Sequence, residues 1–398
     1  LSARREPWNI APVTLTRGSR ATGFALCAAL AAITASWIVR DLRAADGPAA
    51  LWWFWAGDGR TLLSARQLTT TLHDPLLLVG YAVAGFAAGR SRVAAGALVA
   101  AAVVTLAVRL PGLWLLSAHW MDLRATGELR GRALVSVFTA LAVAVGLIIT
   151  VAAGRRPADA PYRAAEHGTA PYGTAPHQRS SYGTAPHGGG PPAAGAARPR
   201  RGALLTAFVL LTAAAAVRAA WELYWTAQLP GSSYAGRFTG RADLLLPLLG
   251  APPGWLNTAV VALSLTAAGG VLFRASVARP LGLAAAGLLT ASGISGIALS
   301  VRLDLLDHFG ALPAVDRLTV GSWVFELAAG VITLGVLARG DAAAGPSVAE
   351  RLRPGFWDRE RGTGRPGAEV TGHRDGGPHD LGAGGAGLGP PPSSPPGR

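Results

Sequence analysis

Glu326 is the only acidic residue well inside an apolar run of this 398-residue chain. An ionisable group in a membrane-crossing segment is costly to hold there, so it is by default a candidate proton carrier, cation ligand or ion-pair partner. It stands eight residues into the run that begins at Leu318, about 12 Å from that end at 1.5 Å per residue. Four arginines bear on it. Arg40, Arg109, Arg218 and Arg302 each follow a valine at the end of an apolar run. Long side chains at such positions snorkel to the interface and fix helix depth, and that makes the four candidate helix-end anchors. Arg109, Arg218 and Arg302 are also the natural partners for Glu326. A ring of positive charge drawing anions inward is the sharper alternative, but Asp41, Asp304 and Asp307 stand close by in sequence and would blunt it.

Other residues offer less. His73-Asp74, His119 with Asp122, and Asp304 with Asp307-His308 are zinc-ligand types, yet none has the compact spacing of a metal motif, and Asp74-Pro75 reads as a helix start. Gly293-Ile294-Ser295-Gly296 resembles the Gly-x-Ser-Gly nucleophile motif of rhomboid intramembrane proteases over those four positions alone. That family pairs its serine with a histidine in another span, and no span here contains one. A serine without a base is a poor nucleophile, so small-residue helix packing is the expected role. There is no phosphate-binding loop, His-Glu-x-x-His, dinucleotide fingerprint or cysteine pair. Cys27, the single cysteine, sits inside the first apolar run as a packing residue. No cofactor and no metal site are expected, and nothing advertises an enzyme.

The elements that would position these residues are membrane helices. The chain is 51% hydrophobic and 15% charged, with apolar runs at 21–39, 75–88, 93–108, 133–153, 203–217, 255–273, 281–301 and 318–337. About 20 helical residues cross a bilayer core of about 30 Å, and a backbone without water must bond to itself as helix. The expected fold class is all-α: a polytopic integral membrane protein with eight transmembrane helices. The first run is longer than the core of a typical signal peptide, so an uncleaved first helix is expected.

The eight spans read as two parallel four-helix repeats. Val108-Arg109-Leu110 recurs as Val301-Arg302-Leu303, and Val137-Phe138-Thr139 as Val324-Phe325-Glu326. An even number of helices per unit puts both halves in the membrane the same way round. The organisation is then a cytoplasmic N-terminal segment 1–20, a first membrane half 21–153, a linker 154–201, a second membrane half 202–338 and a tail 339–398. Gly-Thr-Ala-Pro recurs at 168–171, 173–176 and 183–186. The linker and tail hold few large apolar residues, which predicts disorder.

Charge gives the orientation. One set of connections (1–20, the turns at Arg90/Arg92 and Arg274/Arg279, and 154–201) holds 15 Arg and 3 acids, and the other holds 13 Arg and 11 acids. Cytoplasmic loops carry the basic excess. A multi-pass cell-membrane protein with both termini in the cytoplasm follows. Ten of the twelve tryptophans lie toward the opposite, outer side, as an interfacial belt. All 36 basic residues are arginine, with none of the clustering on one face that a nucleic-acid footprint shows. The expected partners are the lipid bilayer and proteins docking on the linker and tail, and no nucleic acid. A non-enzymatic envelope scaffold or sensor is the first functional expectation. A small-solute transporter or channel using Glu326 is the second, and an enzyme on lipid-linked substrates the third.

Overall fold

A computed structural model gives the fold. It describes residues 14–64, 68–91, 94–123, 125–156, 201–241, 244, 246–272 and 277–339. The linker from 157 to 200, with its Gly-Thr-Ala-Pro repeat, and the tail from 340 onward lie outside the described residues. Apart from one two-residue pairing, of β1 (Thr14–Leu15) with β2 (Arg155–Arg156), the described chain is helical.

The helices are α1 (Arg17–Ala44), α2 (Pro48–Ala56), α3 (Gly59–Ser64), α4 (His73–Arg90), α5 (Ala95–Arg109), α6 (Gly112–Leu115), α7 (Gly127–Ala153), α8 (Arg201–Gln228), α9 (Gly231–Thr239), α10 (Pro253–Leu272), α11 (Ala278–Arg302) and α12 (Ala314–Ala338). Local chemistry sets several ends. Thr16 and Thr126 cap α1 and α7, each accepting from an amide three residues on, that of Ser19 at 3.2 Å and of Leu129 at 3.3 Å. Gly57 closes α2 in the left-handed region, with φ of 86°.

Among the described residues, seven helical segments are long and apolar enough to cross a membrane: Arg17–Ala44, Ala95–Leu115, Gly127–Ala153, Gly202–Gln228, Pro253–Leu272, Ala278–Arg302 and Ala314–Ala338. The expected second span, α4, is not among them. Its 18 residues carry His73, Asp74 and Arg90 at their ends. Helices α1 and α8 run past the ends read from hydropathy, because the polar residues at those points are buried rather than exposed. Asp41 is fully buried and Arg218 is 8% exposed, and neither ends its helix.

Helix α1 packs on α4 and α7, and α5 packs on the same two, closing a ring of four. Helices α8, α10, α11 and α12 close a second ring in the same order, α8 on α10, α10 on α11, α11 on α12 and α12 back on α8. The rings touch through α5 against α11, flanked by α4 on α11 and α5 on α10. Leucine and alanine fill the interiors, among them Leu30, Leu98 and Leu147 in the first and Leu211, Leu288 and Leu289 in the second. Val79, Val83, Phe138, Ile149, Leu205, Val209, Val324 and Val331 point outward and exposed. Such outward faces suit lipid, in which apolar surface carries no penalty.

Glycine brings α11 and α12 closest. A methyl group on Gly293 would stand 2.6 Å from the backbone nitrogen of Leu327, and one on Gly330 would stand 2.7 Å from the Ala286 carbonyl. Small residues let membrane helices approach to this distance. The Gly-x-Ser-Gly stretch is therefore part of a packing seam.

Candidate functional site

Arg109 and Arg302 close their helices and Arg40 stands near the end of its own, whereas Arg218 lies ten residues inside α8; the buried charges gather around Arg109 and Arg218. Glu326 is 5% exposed, and its Oε2 accepts a hydrogen bond from Arg218 Nη2 at 2.6 Å. Arg218 Nη1 donates to Asn257 Oδ1 at 3.0 Å. The Asn257 amide returns two bonds, to the Arg218 carbonyl at 3.1 Å and to Glu222 Oε1 at 3.0 Å. Arg237 Nη2 donates to the same Glu222 oxygen at 2.9 Å, and its guanidinium lies over the Trp225 ring, 5.1 Å from the centroid. One connected chain thus joins α8, α9, α10 and α12. Because α12 starts at Ala314, Glu326 stands about 18 Å from its first turn, near the middle of the helix.

The first ring holds its own pair. Arg109, 7% exposed, binds Asp74 Oδ1 through Nη2 and donates from Nη1 to the Leu249 carbonyl at 3.2 Å. Asp74 Oδ2 accepts from the Thr71 amide at 2.6 Å. The segment around Leu249 connects α9 to α10. It lies across the first ring with Leu248 and Leu249 buried beside Trp37, Leu115 and Val137. Below Leu249 is a cavity lined by Thr34, Trp37, Tyr81, Arg109 and Ser136, with room for about one water molecule. His73 precedes Asp74 at the start of α4. Its Nε2 is buried without a hydrogen-bond partner among the described residues.

The four arginines divide two and two. Arg109 and Arg218 turn inward and are buried. Arg40 and Arg302 are partly exposed, with side chains 30% and 47% accessible. Arg40 donates to Asp41 at 2.7 Å, and Arg302 stacks on Trp53 at 5.0 Å with Asp58 3.7 Å away. The carboxylate of Asp41 also accepts from the Thr69 amide at 2.8 Å and the Thr70 amide at 2.7 Å, and from both hydroxyls. It is an organiser of the connection after α1. His119 and His308 are exposed, and among the described residues no three or more His, Cys, Asp or Glu side chains gather as metal ligands.

Asp58, in the connection after α2, supplies a pH dependence. Burial pushes its carboxyl up, but the hydroxyl of Thr61, the amide of Arg60 and the charges of Arg302 and Arg60 outweigh that and hold it below the usual carboxylate value. A lowered folded-state value contributes stability that is complete above the unfolded-state value and lost as pH falls through the folded one. Wild type should therefore lose stability on acidification more steeply than Asp58→Asn. Thermal unfolding of both proteins from pH 7 down to pH 3 checks this, and parallel curves would count against it.

Sequence reading missed Asp74 as the partner of Arg109, together with Asn257 and Glu222. A signal for the first existed: Asp74 opens one helix and Arg109 closes the next, so an antiparallel pair brings them to one depth. No family model matches the chain, and comparison with curated proteins and with solved structures finds no similar one.

Proposed function

We propose that the chain is a non-enzymatic membrane scaffold or sensor. In this reading α4 is the eighth span. Each ring is one of two tandem four-helix halves, and both termini, the linker and the tail face the cytoplasm. The identical order of packing in the two rings supports duplication. So does their meeting through equivalent helices, α5 and α11. Lipid contacts the exposed apolar faces, and proteins dock on the linker and tail.

One observation carries the choice of scaffold over transporter: the carboxylate of Glu326 is occupied by Arg218 inside a connected network. A solute or proton carrier needs that carboxylate free for part of its cycle, whereas a structural clamp keeps it paired. The buried ion pairs then hold helices in one arrangement. Arg218–Glu326 fixes α8 to α12, and Arg109–Asp74 fixes α5 to α4 while gripping the segment that crosses from the other half. Dicyclohexylcarbodiimide, an apolar reagent for protonated carboxyls in membranes, tests this at Glu326. The expected result is no adduct at neutral pH by mass spectrometry. A ready adduct would favour a carboxyl that cycles, as in the transporter reading.

A further inference from the structure

Where the chain enters α1, arginines stand beside apolar side chains that face outward from the first ring. Arg20 closes α4: its Nε donates to the Ala88 carbonyl at 2.9 Å, and its Nη2 donates to that of Gly89. One turn further along α1, Phe24 lies against Gly85 of α4. A methyl group on Gly85 would stand 3.7 Å from Phe24 Cδ2 and 3.3 Å from Cys27 Cβ. With no side chain at 85, Phe24 rests directly on α4, next to the exposed Phe86. Val83 and Val79 continue the exposed apolar face of α4 toward the middle of the helix.

Both exposed faces finish in an arginine. Arg90 follows Phe86 by four residues, and its guanidinium lies over that ring, 4.0 Å from the centroid. Arg17 precedes Phe24 by seven residues, close to two turns, so it stands on the same side of α1. Because Arg20 reaches Gly89, the residue before Arg90, the two arginine-bearing ends are side by side. The pairing of β1 with β2 sets Arg155 opposite Leu15, two residues before Arg17. Arg17, Arg90 and Arg155 are exposed, and none has an ion-pair partner among the described residues. No acid occurs at 14–40, 75–121 or 129–156, the stretches that build this part of the ring. The other end differs, since Asp41, Asp74, Asp122 and Glu128 there answer Arg40, Arg109, Arg130 and Arg132.

The cluster specifies its ligand in two parts. Guanidiniums without a carboxylate call for an anion, and their planar donor sets match a phosphate group. The phenyl rings and valines call for hydrocarbon. Inorganic phosphate would meet only the first demand. A zwitterionic lipid would meet the second but bring a cation of its own against the arginines. An anionic phospholipid meets both.

We propose that the seam between α1 and α4 binds an anionic phospholipid, with Arg17, Arg90 and Arg155 at the headgroup phosphate and an acyl chain along Phe24, Phe86 and Val83. The proposal rests on the reading of α4 as a lipid-facing span. Arg20 is a positioning residue, because its bonds to α4 hold the two arginine-bearing ends together.

Photoreactive lipids test the site. The full chain is reconstituted in vesicles of equal parts phosphatidylglycerol and phosphatidylcholine, with a diazirine in the acyl chain of one or the other. Adducts are located by mass spectrometry. Both leaflets carry both lipids, so the outcome does not depend on how the chain is oriented. The expected result is adducts around Phe24 and Phe86, formed mostly by phosphatidylglycerol. Arg17→Gln and Arg90→Gln should each lower that preference by up to about fivefold. Arg132→Gln combined with Arg317→Gln, at the other end, should leave it unchanged, and an equal drop there would overturn the site. Equal adducts from both lipids would overturn the site and leave α4 as a lipid-facing span. No adduct on α4 from either lipid would overturn the span and the site together. Loss of the preference on adding inorganic phosphate at constant ionic strength would reveal a site for the anion alone, and the proposal would fall.

Discussion

Replacing Glu326 by alanine is expected to destabilise the protein by about 3–5 kcal/mol, because it strands Arg218 as a buried charge without its partner. Arg218 retains Asn257, which carries no charge, and the neighbouring carboxylate of Glu222 is already engaged by Arg237. Glu326→Gln keeps an acceptor for Arg218 Nη2 but loses the ionic part, and the loss should be smaller. Thermal unfolding in detergent micelles, followed through the tryptophans, ranks wild type above Gln and Gln above Ala. Equal stability of all three would show that the pair does not hold α8 to α12.

Asp74→Ala should cost as much or more. It orphans Arg109 at about 3–5 kcal/mol and removes the acceptor of the Thr71 amide, worth about another 0.5–1.5 kcal/mol. Adding Arg109→Met should recover the first loss but not the second, and it also gives up the bond to the Leu249 carbonyl. The double variant should therefore remain below wild type, and the shortfall should show as easier separation of the Leu249 segment from the first ring. Hydrogen exchange at residues 246–250 measures that directly. Unchanged protection there would mean that Arg109 does not grip the segment.

The two cases show how far the residues alone carry the structure. Hydropathy located the seven helices long and apolar enough to cross a membrane among the described residues, since an apolar run of about 20 residues has few alternatives in lipid. Their ends were less legible. A hydropathy pattern reads any arginine as a boundary, so the run before Arg218 stopped eleven residues short of Gln228. Burial of that arginine depends on a carboxylate 108 residues away, and no local signal reports it. Glu326 stood out because it is alone in its run. Its partner was one of three named arginines, and choosing among them needed the packing of α12 on α8. Asp74 was legible as a helix-start residue and hid its second role for that reason. Asp41 was hidden in the same way, as one charge beside another in a polar connection. Asn257 and Glu222 carry no pattern of their own and enter the network only through three-dimensional proximity.

The central claim is that Arg218 and Glu326 form a structural clamp, and a double-mutant cycle on the pair tests it most directly. Arg218→Met and Glu326→Leu are made singly and together, and unfolding free energies are measured for all four proteins. The clamp predicts that each single change is strongly destabilising, while the double change returns close to wild type, because a buried ion pair is replaceable by well-packed apolar side chains. Singles that are silent, or a double variant that loses the sum of both, would contradict it.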